Sequence, residues 1–549
     1  MAIESLFDED HLIPIALLEN TLFVFSSLDG CLYRLSHQTP RQVGEYEPVC
    51  LAEIESPFCV PGHPYIYDLV HTASLVTVRE YPLTATGMAS PRCRAYEAPP
   101  KETHQLTSLI PDAAAATLRI VFEPTAPNSP CLFTDVQSGI TQPLETVRGT
   151  PRCVLSDGTV VSDSDGRWSI GSDANPQGHG DGTVIATASH FVIVRMSDKS
   201  GIWFSMVRTA GESDIEPPCG WTIVSLAASD KTVIAYAIHP KKGQRLLKAE
   251  PDNLTFSLMD SPCGTSQVFG MGAAFEPVVR STGLLIGSLW QTQRTRLPGI
   301  AFAKNNLSLE YITPAEVPCV YVRRKESRAN EIIVSLHGGP DSHELDDLRY
   351  GGIYWDALDA GFDVLITNYP GSAGFGAEYQ EHAWKNWDAA VLQTADAINE
   401  FAAAKGVSGI SIFGVSFGAW MGLQLSRHVK TRRLVAMSPL LNLTQHIQLH
   451  QDEDHNFRSW AEERFTQLGE KSLNGERYAL ACPVPVVILA PERDEIVLPA
   501  STQNSVLAAT SACRQWTTIT VPGNHYPHTS AEAAQRWTVL SNALTTNEC

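Results

Sequence analysis

The sequence predicts two domains: a β-propeller over residues 1–308, then an α/β domain with a mostly parallel sheet over residues 309–549. Three observations carry this division. Through the first part, short β-type runs are separated by turn residues, with hardly any helical periodicity. Four of those runs are centred on Ile120, Val161, Ile193 and Ile234, at spacings of 41, 32 and 41 residues, near the ~40–45 residues of a four-stranded propeller blade. After "NNLSLEYITPAEVPCVYVRR" the grammar changes, and from residue 331 apolar strands alternate with longer helical segments, the pattern of a parallel sheet with crossover helices.

Along the first half the β-type runs are "TLFVFSSLDGCLYRL", "SLVTV" at 74–78, "LRIVF" at 118–122, "TVVSDSDGRWSI" at 159–170, "FVIVRMSDKSGIWF" at 191–204, "TVIAYAI" at 232–238 and "GLLIGSL" at 283–289. The first reads as two strands joined around Asp29-Gly30, a strong hairpin signal. Seven markers imply about seven blades; the alternative is one or two β-sandwiches, which regular spacing over so long a stretch suits less well. In the second half the strands read as "EIIVSLH", "DVLITNY", "GISIFG", "RLVAMS", "VPVVILA" and "WTTITV", and the helix over 387–405, "WDAAVLQTADAINEFAAAK", places apolar residues at core spacing.

Composition narrows the function classes. With 549 residues the chain exceeds one ordinary core. Sixty acidic against 40 basic residues give a net charge of −20, which disfavours nucleic acid and anionic membrane surfaces as partners. The N-terminus has no basic region ahead of its apolar run, so no signal peptide is expected, and no stretch approaches the ~18–20 apolar residues of a membrane span. The 12 cysteines stand singly, with no CxxC pair, so a reducing cytoplasm is expected and no metal or other cofactor is implied.

The stretch "SIFGVSFGAW", 411–420, carries the chemistry. A strand running into Gly414-Val415-Ser416-Phe417-Gly418 and then a helix is the setting of a nucleophile elbow, which makes the second domain an α/β-hydrolase. Ser416 would be lifted above the C-terminal edge of the sheet, with the helix's unpaired N–H groups aimed at the same place. A serine hydroxyl needs a base, and the base an orienting carboxylate, following in the order Ser, Asp, His. The loop after "VPVVILA" offers Glu492, Asp494 and Glu495; the loop after "WTTITV" offers His525 and His528.

The stretches "LHGGP" at 336–340, "NYPGSAGFG" at 368–376, "GVSFGA" at 414–419, "ERDEIVLP" at 492–499 and "PGNHYPH" at 522–528 together resemble the prolyl oligopeptidase family of serine peptidases, especially its acylaminoacyl-peptidase-like branch. In that family a propeller precedes and caps the hydrolase domain. The resemblance implies Ser416 as nucleophile, His525 as general base and Asp494 as its orienter, with an oxyanion hole from the backbone N–H groups of Phe417 and Gly339. It also implies that Ile496 sits where other branches place a polar residue on a substrate carbonyl. Three positions depart from the family pattern: Pro370 replaces the usual arginine, Ala419 a glycine, and "APE" the usual "HG" before the aspartate loop.

The segment "HIQLHQDEDHNFRSWAEERF", 446–465, falls where the family lines its substrate pocket, making Phe457 and Trp460 candidate pocket residues; ordinary packing is the competing reading. His446 and His450 stand at i,i+4, but ligand spacing around them is missing, so a metal site is not expected. The expected function is a serine hydrolase cleaving amide bonds of short peptides or acylated amino compounds through an acyl-enzyme, with a homo-oligomer left open. An esterase, thioesterase or acyl transferase would use the same triad. A non-catalytic propeller scaffold is the reading from another class, and the complete set of triad residues and glycines argues against it.

Overall fold

The computed structural model describes most of residues 12–546; residues 1–11, 37–45, 50–56, 60–64, 126–131, 144–149, 299–305, 447–460, 466–481 and 547–549, and some shorter stretches, lie outside the described residues. The first part consists of antiparallel sheets built from four-strand meanders, except one five-stranded sheet in which Leu75–Thr84 also pairs with Arg92–Glu97. Two consecutive meanders merge into one eight-stranded sheet through a single parallel pairing of Asp112 with Val154. The two strands of the expected hairpin pair, Ser26 with Cys31, while the Asp29-Gly30 turn lies outside the described residues.

The regular spacing has a structural origin. Ile120, Val161, Ile193 and Ile234 lie on Thr117–Pro124, Val160–Ser164, Val192–Asp198 and Thr232–His239. Each is the second strand of its four-strand unit, and all four side chains are buried. An interior strand is paired on both sides and sandwiched between neighbouring sheets, so apolar residues concentrate there. One expected strand is corrected: "GLLIGSL" straddles a hairpin, with strands Val278–Gly283 and Gly287–Gln291 pairing Gly283 with Gly287. Gly287 takes φ +71°, and Leu285 is exposed at the tip. An apolar run without alternation does not by itself show where a chain reverses.

The second part is built on an eight-stranded sheet. Its elements are β1 (Leu307–Ile312), β2 (Cys319–Arg324), β3 (Glu331–Leu336), α1 (Arg349–Asp359), β4 (Asp363–Thr367), α2 (Ala377–Lys385), α3 (Trp387–Lys405), β5 (Gly409–Val415), α4 (Phe417–Leu425), β6 (Thr431–Met437), β7 (Val486–Pro491), α5 (Pro499–Ser511), β8 (Trp516–Val521) and α6 (Ser530–Thr545). The strand order is β1-β2-β4-β3-β5-β6-β7-β8. The ladders joining β4 to β3 and then β3 through β8 are parallel, and β1 and β2 are antiparallel. The interior strands β3 to β6 are almost wholly buried, which is why they read as continuous apolar runs rather than alternating ones.

Successive residues of β3 serve opposite faces. Ile332, Val334 and Leu336 pack with Trp387, Phe401 and Trp420, whereas Ile333 packs with Tyr354, Trp537 and Leu540. The long helix α3 starts where Asn386 accepts the Ala389 N–H (3.1 Å) and stops at Gly406 with φ +71°, a polar N-cap and a left-handed C-terminal glycine. The core of the second face continues into the first part of the chain, where Ala227, Tyr236, Ile238 and Leu284 join Tyr350, Tyr354 and Trp355. Main-chain and side-chain bonds cross the same contact: Leu284 N–H to Asp346 O (2.8 Å), Trp355 Nε1 to Leu284 O (3.3 Å) and Gln244 Nε2 to the Asp346 carboxylate.

Candidate active site

Ser416 stands between β5 and α4 with φ +51° and ψ −116°, a strained conformation for a non-glycine residue that costs on the order of 1–3 kcal/mol. The surroundings hold it there. Its N–H donates to Met437 O (2.9 Å), and its carbonyl accepts from Ala419 (3.0 Å) and Leu440 (3.1 Å). The two flanking glycines are required by contact. A Cβ on Gly418 would lie 2.2 Å from Leu336 O and 2.5 Å from His337 O, and one on Gly414 would lie 2.5 Å from Gly418 O. Helix α4 is thereby seated against the end of β3.

That seating brings the "HGGP" loop to Ser416. A Cβ on Gly338 would be 3.3 Å from Ser416 Cβ, and Gly339 adopts φ +117°, open chiefly to glycine. The loop is fixed from behind by His337. Its ring stacks on Tyr369 at 4.5 Å, its Nδ1 lies 2.7 Å from Gly338 O, and its Nε2 lies 2.7 Å from Ser372 Oγ. Burial pushes the His337 pKa down to about 3, so the ring is neutral, with Nδ1 donating to the Gly338 carbonyl; Ser372 Oγ, beside Nε2, also lies 2.7 Å from the Tyr369 carbonyl oxygen. Phe417, the residue after the serine, is fully buried in a cluster with Tyr369, Trp387, Trp420 and Phe465.

Asp494 and His525 are brought together by loops that leave the adjacent strands β7 and β8. His525 Nδ1 lies 3.0 Å from both Asp494 oxygens, and both residues are buried. An ionised carboxylate only accepts, so Nδ1 carries the ring proton and Nε2 is left as the basic nitrogen. Asp494 Oδ1 also accepts the N–H groups of Ile496 (3.0 Å) and Val497 (2.7 Å). The two loops are tied by Glu492 N–H to Val521 O (3.0 Å) and Arg493 N–H to Gly523 O (3.1 Å).

Of the other acids, Glu495 accepts the His525 backbone N–H (3.1 Å), and Glu492 lies 3.7 Å from Arg493. The Ile496 side chain is 38% exposed. Phe457, Trp460, His450 and His528 lie outside the described residues, and His446 is buried. No cluster of three or more metal-ligating side chains occurs among the described residues, and none of their helices is long and apolar enough to cross a membrane.

Three supports were not evident in the sequence. Arg536 of α6 is fully buried and donates to the carbonyls of His525 (2.8 Å), Pro522 (2.7 Å) and Asn524 (2.7 Å), shaping the histidine loop. Ser372 reaches His337 from 35 residues away, and Arg464 reaches Asp341 from 123 residues away. Such pairs leave no periodic trace in the chain.

No family model matches the chain. Over 130 residues, 23% of the chain, it is 27% identical to acylamino-acid-releasing enzyme 2 of Oryza sativa subsp. japonica, a match spanning 17% of that enzyme's length. Among solved structures it is similar to an acylaminoacyl peptidase of Pyrococcus horikoshii (TM-score 0.67, 10% identity, covering 98% of this chain and 96% of that one). A puromycin-hydrolyzing peptidase of Mycobacterium tuberculosis (TM-score 0.64, 13% identity, 97% and 94%) and prolyl oligopeptidase B of Galerina marginata (TM-score 0.66, 11% identity, 99% and 90%) are also similar. The resemblance read from the motifs therefore extends over the whole chain as a shared fold, a propeller joined to a hydrolase domain.

Proposed function

We propose that this chain, which has the fold of the acylaminoacyl peptidases and prolyl oligopeptidases, is a serine peptidase acting on short peptides or acylated amino compounds. One observation carries the reading. The Asp494–His525 pair is held at the sheet edge that also presents the strained Ser416 elbow, in the chain order Ser, Asp, His. In this reading Ser416 Oγ attacks the scissile carbonyl while its proton passes to His525 Nε2, and Asp494 holds the imidazolium that forms. The carbonyl oxygen takes up negative charge between the N–H groups of Phe417 and Gly339. Collapse restores the carbonyl and breaks the C–N bond, the leaving amine taking the proton from His525. A water molecule then repeats the sequence on the acyl-enzyme, releasing the acid and freeing Ser416. Esters and thioesters would pass through the same steps.

The domain boundary is proposed at residue 308, beside the start of β1. The seven successive units that precede it, six of four strands and one of five, support about seven blades, and the free thiols of Cys93, Cys153, Cys219, Cys319 and Cys482 suit a cytoplasmic protein. A fluorophosphonate probe tests the central claim. It is expected to form a covalent adduct on Ser416, located by mass spectrometry of the digest; an adduct elsewhere, or none on folded protein, refutes the serine hydrolase.

A further inference from the structure

The two sides of the proposed oxyanion hole come from distant parts of the chain, and one dipeptide touches both. Arg464 Nε donates to Asp341 Oδ2, two residues beyond Gly339. The other carboxylate oxygen, Oδ1, accepts from Gln380 Nε2 (3.3 Å). The Arg464 guanidinium also lies over the Trp384 ring, 4.3 Å from its centroid, and reaches Glu463 (3.1 Å). Its main-chain carbonyl accepts the Trp387 indole N–H (2.8 Å). The next residue, Phe465, is buried, with its ring stacked on Phe417 at 5.7 Å and tilted against Trp387 at 5.9 Å.

We propose that Arg464 and Phe465 are positioning residues that set the two oxyanion donors against each other, Arg464 through Asp341 on the Gly339 loop and Phe465 through the Phe417 ring. The physical reason is one of tolerance. Oxyanion donors act only when they lie about 3 Å from the developing charge, and Gly339, with no side chain, cannot be held by packing of its own. Asp341 supplies the handle, and a planar guanidinium held over Trp384, on a main chain tied to Trp387, grips it in one orientation. Phe417 is held instead by its ring. Because one dipeptide makes both contacts, a shift of the segment carrying it moves both donors together.

This inference rests on the serine peptidase reading, and the test separates the two. In the full chain, Arg464→Met is expected to lower kcat 10- to 100-fold with KM changed less than twofold, and Arg464→Lys to recover part of the loss. A peptidyl trifluoromethyl ketone, which binds as a tetrahedral oxyanion, should lose affinity by the same factor as kcat, whereas the matching peptidyl alcohol should bind unchanged. Asp341→Asn combined with Arg464→Met should be no worse than the more damaging single change, since both break one contact. An Arg464→Met enzyme with wild-type kcat and ketone affinity overturns the proposal. So does an equal loss for ketone and alcohol, which would mark a general structural role, and a melting temperature measured alongside identifies a misfolded variant. Fluorophosphonate labelling of the wild type judges the underlying reading: its failure overturns both, whereas normal labelling with an unaffected Arg464→Met overturns the positioning role alone.

Discussion

His525 and Asp494 meet symmetrically, the imidazole Nδ1 standing 3.0 Å from each carboxylate oxygen. The same carboxylate is anchored through Oδ1 by two backbone N–H groups. Its orientation is thus set by its own loop, and the ring conforms to it.

Asp494→Asn is expected to leave the loop intact and destroy the activity. The amide oxygen can keep the bonds to Ile496 and Val497, which turns the NH2 group toward His525. An NH2 facing Nδ1 favours the tautomer with the proton on Nε2, the nitrogen that must act as base. A loss of about 10⁴-fold in kcat is expected, as for the equivalent change in other triads, with little change in melting temperature. Steady-state kinetics and a thermal melt check this; retention of more than a tenth of wild-type kcat counts against the triad.

Substrate size should be limited. The propeller and hydrolase parts share a buried core through Leu284, Tyr350 and Trp355 and bond across it, so the two parts are not loosely tethered. Short peptides are expected to turn over while intact casein-like proteins and folded domains survive. Gel analysis of casein after prolonged incubation decides the matter, and its efficient cleavage contradicts a capped site.

The Gln244–Asp346 contact predicts a pH dependence of stability. Burial first, then the neighbouring charge of Asp347, push the Asp346 carboxyl up from its ordinary 3.8 to about 7. Glu344, also raised by burial and by Asp347, lies in the same loop, with Arg349 at the start of α1 and Tyr354 further along that helix, bonded to Glu344. A carboxyl whose folded pKa exceeds its unfolded one is protonated only in the folded protein between the two values. It therefore destabilises the fold progressively as pH rises from about 4 to about 7, by roughly 1.4 kcal/mol per pH unit at most. Above that range the penalty is complete and constant. Asp346→Asn keeps the acceptor for Gln244 and removes the ionisation, so its gain in melting temperature over wild type should be larger at pH 8 than at pH 5. An identical difference at both pH values rejects the assignment.

Ile496 predicts the substrate's acyl side. Its backbone N–H is committed to Asp494 and its side chain is 38% exposed and apolar, so it offers no donor to a peptide carbonyl. A hydrogen bond to a charged donor contributes about 1.5–3 kcal/mol, and without it an extended peptide gains little. An aminoacyl or N-acyl-aminoacyl reporter should match or exceed its dipeptidyl extension in kcat/KM. A tenfold advantage for the extension, about 1.4 kcal/mol, means that another residue supplies the donor.

The sequence by itself determined the change from all-β runs to strands alternating with helices, most of the strands in both parts and the turn at Ser416. Each of these is written in local terms. Interior strands concentrate apolar residues, so Ile120, Val161, Ile193 and Ile234 repeat with the sheets that contain them. The elbow needs small residues at fixed offsets, because a Cβ at Gly414 or Gly418 would strike backbone carbonyls. What only the tertiary structure decided depends on contacts with no fixed offset. The turn within "GLLIGSL" is set by the pairing of Gly283 with Gly287, and Leu284 beside it docks against Asp346. The choice among Glu492, Asp494 and Glu495 is made by which carboxylate the His525 ring can reach. The grip of Arg464 on Asp341 and of Arg536 on three carbonyls joins segments far apart in the chain. A side chain's periodicity records which face of its own element is buried; it carries no record of the partner that the fold places opposite.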